Sequence, residues 1–170
     1  MNETIVNLIT RKSSKNFQDR HVYKELINEI VSAGLNAPTG RNLQTPLFVV
    51  VSDDNVVKKL SELNAKAGGF SIDPFYGAKD VIAVVCKKEG TYIYDGSLAM
   101  GNLLNAAWSL NVGACWIHRA KEVFETKEGK EILSNAGITD DVEGIGFCIL
   151  GYTQKDKDKT IIKEGRVYYI

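Results

Sequence analysis

The densest chemistry in the chain follows its first helical pattern. In RKSSKNF, Arg11, Lys12, Ser13 and Lys15 place three cations and a hydroxyl within five residues. A phosphate wants that set: an arginine forks two oxygens, a serine donates a hydrogen bond and a lysine supplies a point charge. A solvated basic helix end, whose cations offset the negative pole of the helix, uses the same residues with no ligand. A second loop, NAPTGRNLQTP, holds Asn42 and Gln44 between Pro38 and Pro46. Those amides can give and accept hydrogen bonds at the edge of a heterocycle, or simply close a turn.

Other patterns fail on spacing. Gly96 and Gly101 stand like the start of a phosphate loop, but Asn102 and Leu103 occupy the places of its lysine and hydroxyl residue. Gly144 to Gly151 begins G-x-G without a third glycine at the dinucleotide spacing, and lies in a strand-like run. Cys115 and His118 suggest a nucleophile or a metal ligand, yet the chain has two histidines and no clustered carboxylates. The expectation is a buried cysteine beside the Trp116 indole and no metal site.

Apolar spacing supplies the elements that must position these loops. Asn2 can cap an amphipathic helix carrying Ile5, Leu8 and Ile9, and Tyr23, Leu26, Ile27, Ile30 and Val31 repeat the pattern. Leu47 to Ser52 reads as a strand, then Asp53 or Asp54 as the cap of a helix through Val56, Val57, Leu60 and Leu63. Ala65 to Gly77, with paired glycines, a proline and Phe70, Phe75 and Tyr76, reads as an irregular loop lining a site. Val81 to Cys86, Gly113 to His118 and Gly144 to Leu150 read as further strands. Tyr92 to Leu110 reads as a central, largely buried helix, and a charged helical stretch carries Val123, Phe124, Ile132 and Leu133. A charged tail ends in Val167, Tyr168, Tyr169 and Ile170, a strand-like close expected to dock. Alternation of strands and helices, taken alone, favours an α/β domain with a parallel sheet.

Composition narrows the classes. At 170 residues with 44% hydrophobic and 25% charged residues, a single domain over 1–170 is expected. Its core should bury roughly 70% of the unfolded surface without disulfide or metal. Twenty-one basic and twenty-one acidic residues leave no net field for nucleic acid or an acidic membrane. Cys86, Cys115 and Cys148 are few, odd in number and set in apolar runs, which suits reduced thiols. The opening MNETIVNLITRK interrupts any signal-like apolar stretch and no run reaches membrane-spanning length, so a cytoplasmic protein is expected.

In order along the chain, the motifs form a recognisable set. These are Arg11, Ser13, Lys15 and Phe17; Ala37, Pro38, Thr39, Asn42, Gln44, Pro46 and Phe48; Gly77 and Ala78; and Asp95, Gly113, Cys115 and Trp116, with a terminal KEGRVYYI. This set resembles the FMN-dependent nitroreductase family in its short bacterial and archaeal form. The resemblance implies an α+β fold, a largely antiparallel sheet sandwiched by helices in an intertwined homodimer, and it replaces the parallel-sheet expectation. It implies non-covalent FMN at the dimer interface, with Arg11 and Ser13, in one cluster with Lys12, at the phosphate and ribityl end. Lys15 would reach the N1 and O2 edge of the ring. Pro38, Thr39, Gly40 and Asn42, with Gln44 in the same loop, would come from the partner chain. The backbone around Trp116, Ile117 and His118 would approach flavin N5, and Lys163 or Arg166 would add a phosphate cation.

The implied activity is ping-pong hydride transfer from NADH or NADPH through flavin N5 to a nitroaromatic, quinone or similar small-molecule acceptor. A flavin-storage or sensing module of the same fold and a ligand-free dimeric scaffold are the alternatives. The chain departs from the family pattern at Leu47, where an aromatic is usual, at Lys79, where proline is frequent, and at His118, often glycine. Ile161 and Ile162 replace the usual proline and arginine before Lys163, and Lys159 is a substitute phosphate cation.

Overall fold

The computed structural model describes residues 1–153 and 161–170. Asn2 caps α1 (Glu3–Thr10) by accepting from the Ile5 N–H at 3.0 Å, and α2 (Lys24–Leu35) follows. A 3-10 turn at Gly40–Asn42 leads into β1 (Pro46–Val51). The Asp53 carboxylate accepts from the Asn55 and Val56 N–H groups and so starts α3 (Asp54–Gly68). Then come β2 (Asp80–Lys87), α4 (Tyr92–Ser109), β3 (Gly113–Ile117), α5 (Ala120–Glu125), α6 (Lys127–Asn135) and β4 (Val142–Gly151). The helical stretch expected after β3 is two short helices, because Thr126 ends α5 in an extended conformation and caps α6 through the Gly129 N–H.

The strands lie in the order β1-β2-β4-β3, and every neighbouring pair is antiparallel. The architecture is therefore α+β with an antiparallel sheet, and the direction suggested by alternation alone is corrected. For β1 and β2 the reason lies in residues 69–79. α3 carries the chain about 22 Å by its 15 residues at ~1.5 Å each. The non-helical return then brings it back, so that Val81 starts opposite Val51, the last residue of β1. Ala65 to Gly68, expected in that loop, complete the helix instead.

Each central strand is apolar on both faces because both are covered. Val81, Ala83 and Val85 face a layer holding Val57, Leu60 and Leu63 of α3, Phe75, and Val123 and Phe124 of α5. Ile82, Val84 and Cys86 face Ile27 and Ile30 of α2 and Met100, Leu103 and Ala107 of α4. The sheet is thus sandwiched by helices.

The expectation of a largely buried central helix changes, and two further apolar segments are uncovered within the single chain. α4 buries only one side, with Ile93, Tyr94 and Leu98 exposed. The apolar stripe of α1, Ile5, Leu8 and Ile9, is exposed, and α1 has no buried residue. The helix is held to α4 by polar contacts: the Asn7 amide donates to the Asn105 carbonyl at 2.9 Å and the Trp108 indole N–H to the Thr10 hydroxyl at 3.1 Å. Val167 to Ile170 adopt no strand and are exposed, with no described residue of their own chain covering them. Among the described residues no helix is long and apolar enough to cross a membrane.

Candidate functional site

The basic segment is built onto the edge of the sheet. Ser13 forms a parallel bridge with Ala114 of β3, and the Ser14 N–H donates to the Ala114 carbonyl at 2.9 Å. Phe17 bridges Thr153 just past β4 and is buried. Arg11, Lys12 and Ser13 are half-buried and Lys15 is exposed. Gly113 makes the close approach possible: a Cβ there would lie 2.9 Å from the Ser14 side chain and 2.4 Å from Thr153 Cγ2. Four residues from Ala114 along the same edge bring the chain to His118, about 13 Å at ~3.3 Å per residue. The structure therefore brings Arg11, Lys12, Ser13 and Lys15 to the same sheet edge as Trp116, Ile117 and His118.

The second loop is elsewhere. Its 3-10 turn sits beside the start of α4, where buried Asp95 accepts from the Gly40 N–H at 3.0 Å, the Thr91 hydroxyl at 2.9 Å and the Thr45 hydroxyl at 3.2 Å. Arg41, Asn42 and Gln44 all have positive φ, near +50 to +57°. The Thr39 hydroxyl accepts from the Gln44 N–H, and the Asn42 side-chain oxygen accepts from the Gln44 amide. Segment 11–15 follows α1, which is tied to the far end of α4 at Asn105 and Trp108. Thirteen helical residues from Asp95 to Trp108 separate the two anchor points by about 20 Å. One chain thus does not bring Pro38, Thr39, Gly40, Asn42 and Gln44 to Arg11, Ser13 and Lys15. Lys163 and Arg166 lie in the exposed segment 161–170, and Lys159 is outside the described residues.

Three further groups frame the first half of the site, and the sequence reading gave none of them an individual role. The Tyr76 ring lies under the Lys15 ammonium, 5.2 Å from Nζ to the centroid. Fully buried Asn64 of α3 donates its amide to the His118 carbonyl at 2.6 Å, and its Oδ1 has no partner among the described residues. Asp73 closes the turn that carries Tyr76. A polar residue on the core side of α3, one turn past Leu60, was a readable signal for Asn64, and Asp73-Pro74 was one for a turn. Tyr76 lay in the loop expected to line a site, but nothing local singled it out from Phe70 and Phe75. Lys79, a departure from the family pattern, pairs with Asp19 at 3.0 Å and Asp54 at 3.3 Å, and these pairs raise its affinity for its proton.

Thiol chemistry is disfavoured. Burial pushes the Cys86 thiol up to about 12 and raises Cys148 further, so both stay protonated near neutrality. Cys115 is buried too, with its sulfur 3.6 Å from the Trp116 carbonyl oxygen.

The model of the "Nitroreductase family" matches residues 8–73. A protein of Archaeoglobus fulgidus with the provisional name NADH dehydrogenase/NAD(P)H nitroreductase is 30% identical over 165 residues, covering 93% of this chain and 90% of that one. An FMN reductase [NAD(P)H] of Bacillus subtilis is 33% identical over 86 residues, 51% of this chain and 32% of its own. The crystal structure of a nitroreductase with bound FMN from Bacteroides fragilis superposes with a TM-score of 0.91 at 22% identity over 100% of both chains. One from Desulfitobacterium hafniense, also with bound FMN, gives 0.89 at 22% identity over 100% of this chain and 99% of that chain. These superpositions establish the fold.

Proposed function

Because the chain belongs to the nitroreductase family, we propose that it is a homodimeric FMN-dependent NAD(P)H oxidoreductase that reduces small-molecule acceptors such as nitroaromatics or quinones. The observation that carries this reading is the seating of Arg11, Lys12, Ser13 and Lys15 against the β3 edge that ends at His118. The donor set fits the cofactor: cations and a hydroxyl suit a phosphate, and a further cation suits the ring edge where negative charge builds on reduction.

When bound, FMN would supply two-electron hydride chemistry between NADH or NADPH and an acceptor, the two using the same place in turn in a ping-pong cycle. Arg11 and Ser13 hold the phosphate and ribityl end, with Lys12 adding positive charge. Lys15 offsets negative charge at the N1 and O2 edge. The backbone from Trp116 to His118 would face N5, and Asn64 steadies that backbone through the His118 carbonyl. No side chain is required as nucleophile or acid–base catalyst.

Pro38, Thr39, Gly40, Asn42 and Gln44 join the site from the partner. This arrangement is supported by the separation of about 20 Å that one chain leaves between the two loops. It is supported too by uncovered apolar residues on α1, α4 and the tail, with Ile162 70% and Tyr169 93% exposed. The tail then brings Lys163 or Arg166 to a phosphate.

The test is the visible spectrum after incubation with FMN and desalting, with the oligomeric state of the same sample measured by light scattering. A yellow dimer that bleaches with NADH or NADPH and recovers with a quinone is expected. Colour without bleaching would mean a flavin-storage or sensing module. A colourless dimer would mean a scaffold, and a yellow monomer would remove the partner's loop from the site.

A further inference from the structure

Lys15 reaches its position on a long, flexible stem, and fixing such a side chain costs rotamer freedom. Among the described residues no carboxylate lies within ion-pair distance of it. What lies there is the Tyr76 ring, 5.2 Å from Nζ, within the range at which the negative face of an aromatic ring attracts a cation. A carboxylate would hold the ammonium and cancel its field. A ring holds it and leaves the charge in place.

Tyr76 is aimed by an unusual backbone. Its φ is +54°, in the left-handed region that aromatic residues seldom adopt, and Gly77 follows at +75°. One carboxylate imposes the turn. Asp73 accepts from the Phe75 N–H at 2.8 Å and the Gly77 N–H at 2.7 Å, and it also accepts from the Ser61 hydroxyl of α3. The Tyr76 N–H donates to the Asp73 carbonyl at 3.3 Å. Phe75, buried and 5.2 Å from the Phe147 ring, anchors the same turn to the sheet. Backbone strain over-determined by its surroundings points to a task at that residue.

We propose that Tyr76 is a positioning residue that holds the Lys15 ammonium at the flavin edge without neutralising it, and that the Ser61–Asp73 latch serves to aim its ring. The inference rests on the placement of FMN against Arg11 to Lys15 proposed above. It makes Tyr76 a determinant of how much more tightly the protein binds reduced than oxidised flavin.

The experiment measures, on the FMN-loaded protein, the affinity for oxidised FMN and the midpoint potential, from which the reduced-to-oxidised affinity ratio follows. Tyr76→Leu is expected to lower that ratio about two- to fivefold, the worth of a partly exposed cation–ring contact, or about 10 to 20 mV for a two-electron couple. Tyr76→Phe, which keeps the ring face, is expected to retain the wild-type ratio. In a Lys15→Met background Tyr76→Leu is expected to add nothing. A Tyr76→Leu protein with the wild-type ratio, or a Tyr76→Phe protein that matches the Leu variant, overturns the proposal while leaving the flavin site intact. If Tyr76→Leu does not fold, Ser61→Ala, which loosens the latch and spares the ring, is expected to shift the ratio in the same direction. No shift there overturns the proposal. Wild-type protein that retains no FMN sinks the flavin placement itself, which is a different result.

Discussion

The two loops proposed to hold FMN are each held in place by different physics. Segment 11–17 is laid along the sheet by backbone bridges to Ala114 and Thr153, so its path depends little on which side chains it bears. Loop 38–45 contains three non-glycine residues at positive φ and hangs on the side chain of Asp95. A sheet edge tolerates exchange of side chains but needs room for the backbone. A loop gathered around one buried carboxylate depends on that single group.

Asp95→Ala is the sharpest way to break the contrast. It strips an acceptor from the Gly40 N–H and the Thr91 and Thr45 hydroxyls, Thr45 being almost fully buried. Urea unfolding is expected to show a loss of about 2 to 4 kcal/mol. A loss no larger than that of a surface substitution would mean the loop is held by something else.

Arg11→Ala is expected to leave unfolding unchanged and to weaken FMN binding by about 1.5 to 3 kcal/mol, the worth of a charge-assisted phosphate contact. An FMN titration that matches wild type would move the phosphate away from this segment.

Gly113→Ala tests the room that the sheet edge requires. The added Cβ meets Ser14 and Thr153, so the segment must shift, at a cost of about 1 to 3 kcal/mol. FMN affinity is expected to fall while hydrogen exchange at the Gly40 amide keeps its wild-type protection. Equal loss of protection at Gly40 would show that the two loops are coupled, against the contrast drawn here.

Much of this fold is legible in the chain. The caps Asn2 and Asp53 stand where their side-chain oxygens find N–H groups one turn on. The four β-rich runs fall within two residues of the observed strands. Sheet direction was not legible from periodicity, since it turns on how the eleven residues 69–79 return after α3. Within the site, the basic cluster and the amide loop announced themselves by residue type. Asp95 stood in the motif set without a role until its three donors appeared. Tyr76 was only one aromatic among three in a loop, because a positive φ on a tyrosine has no local signature.

Helix and strand periodicity, the caps, the balanced charge and the thiols set in apolar runs are determined by the sequence itself, because each depends on residues within a turn or two of one another. Tertiary structure alone decided that Lys15 meets Tyr76, that Asn64 holds the His118 carbonyl and that the basic segment and loop 38–45 sit at opposite ends of α4. Those meetings join residues far apart in the chain, and closing such long loops is driven by the burial of both sheet faces rather than by any preference the residues hold locally.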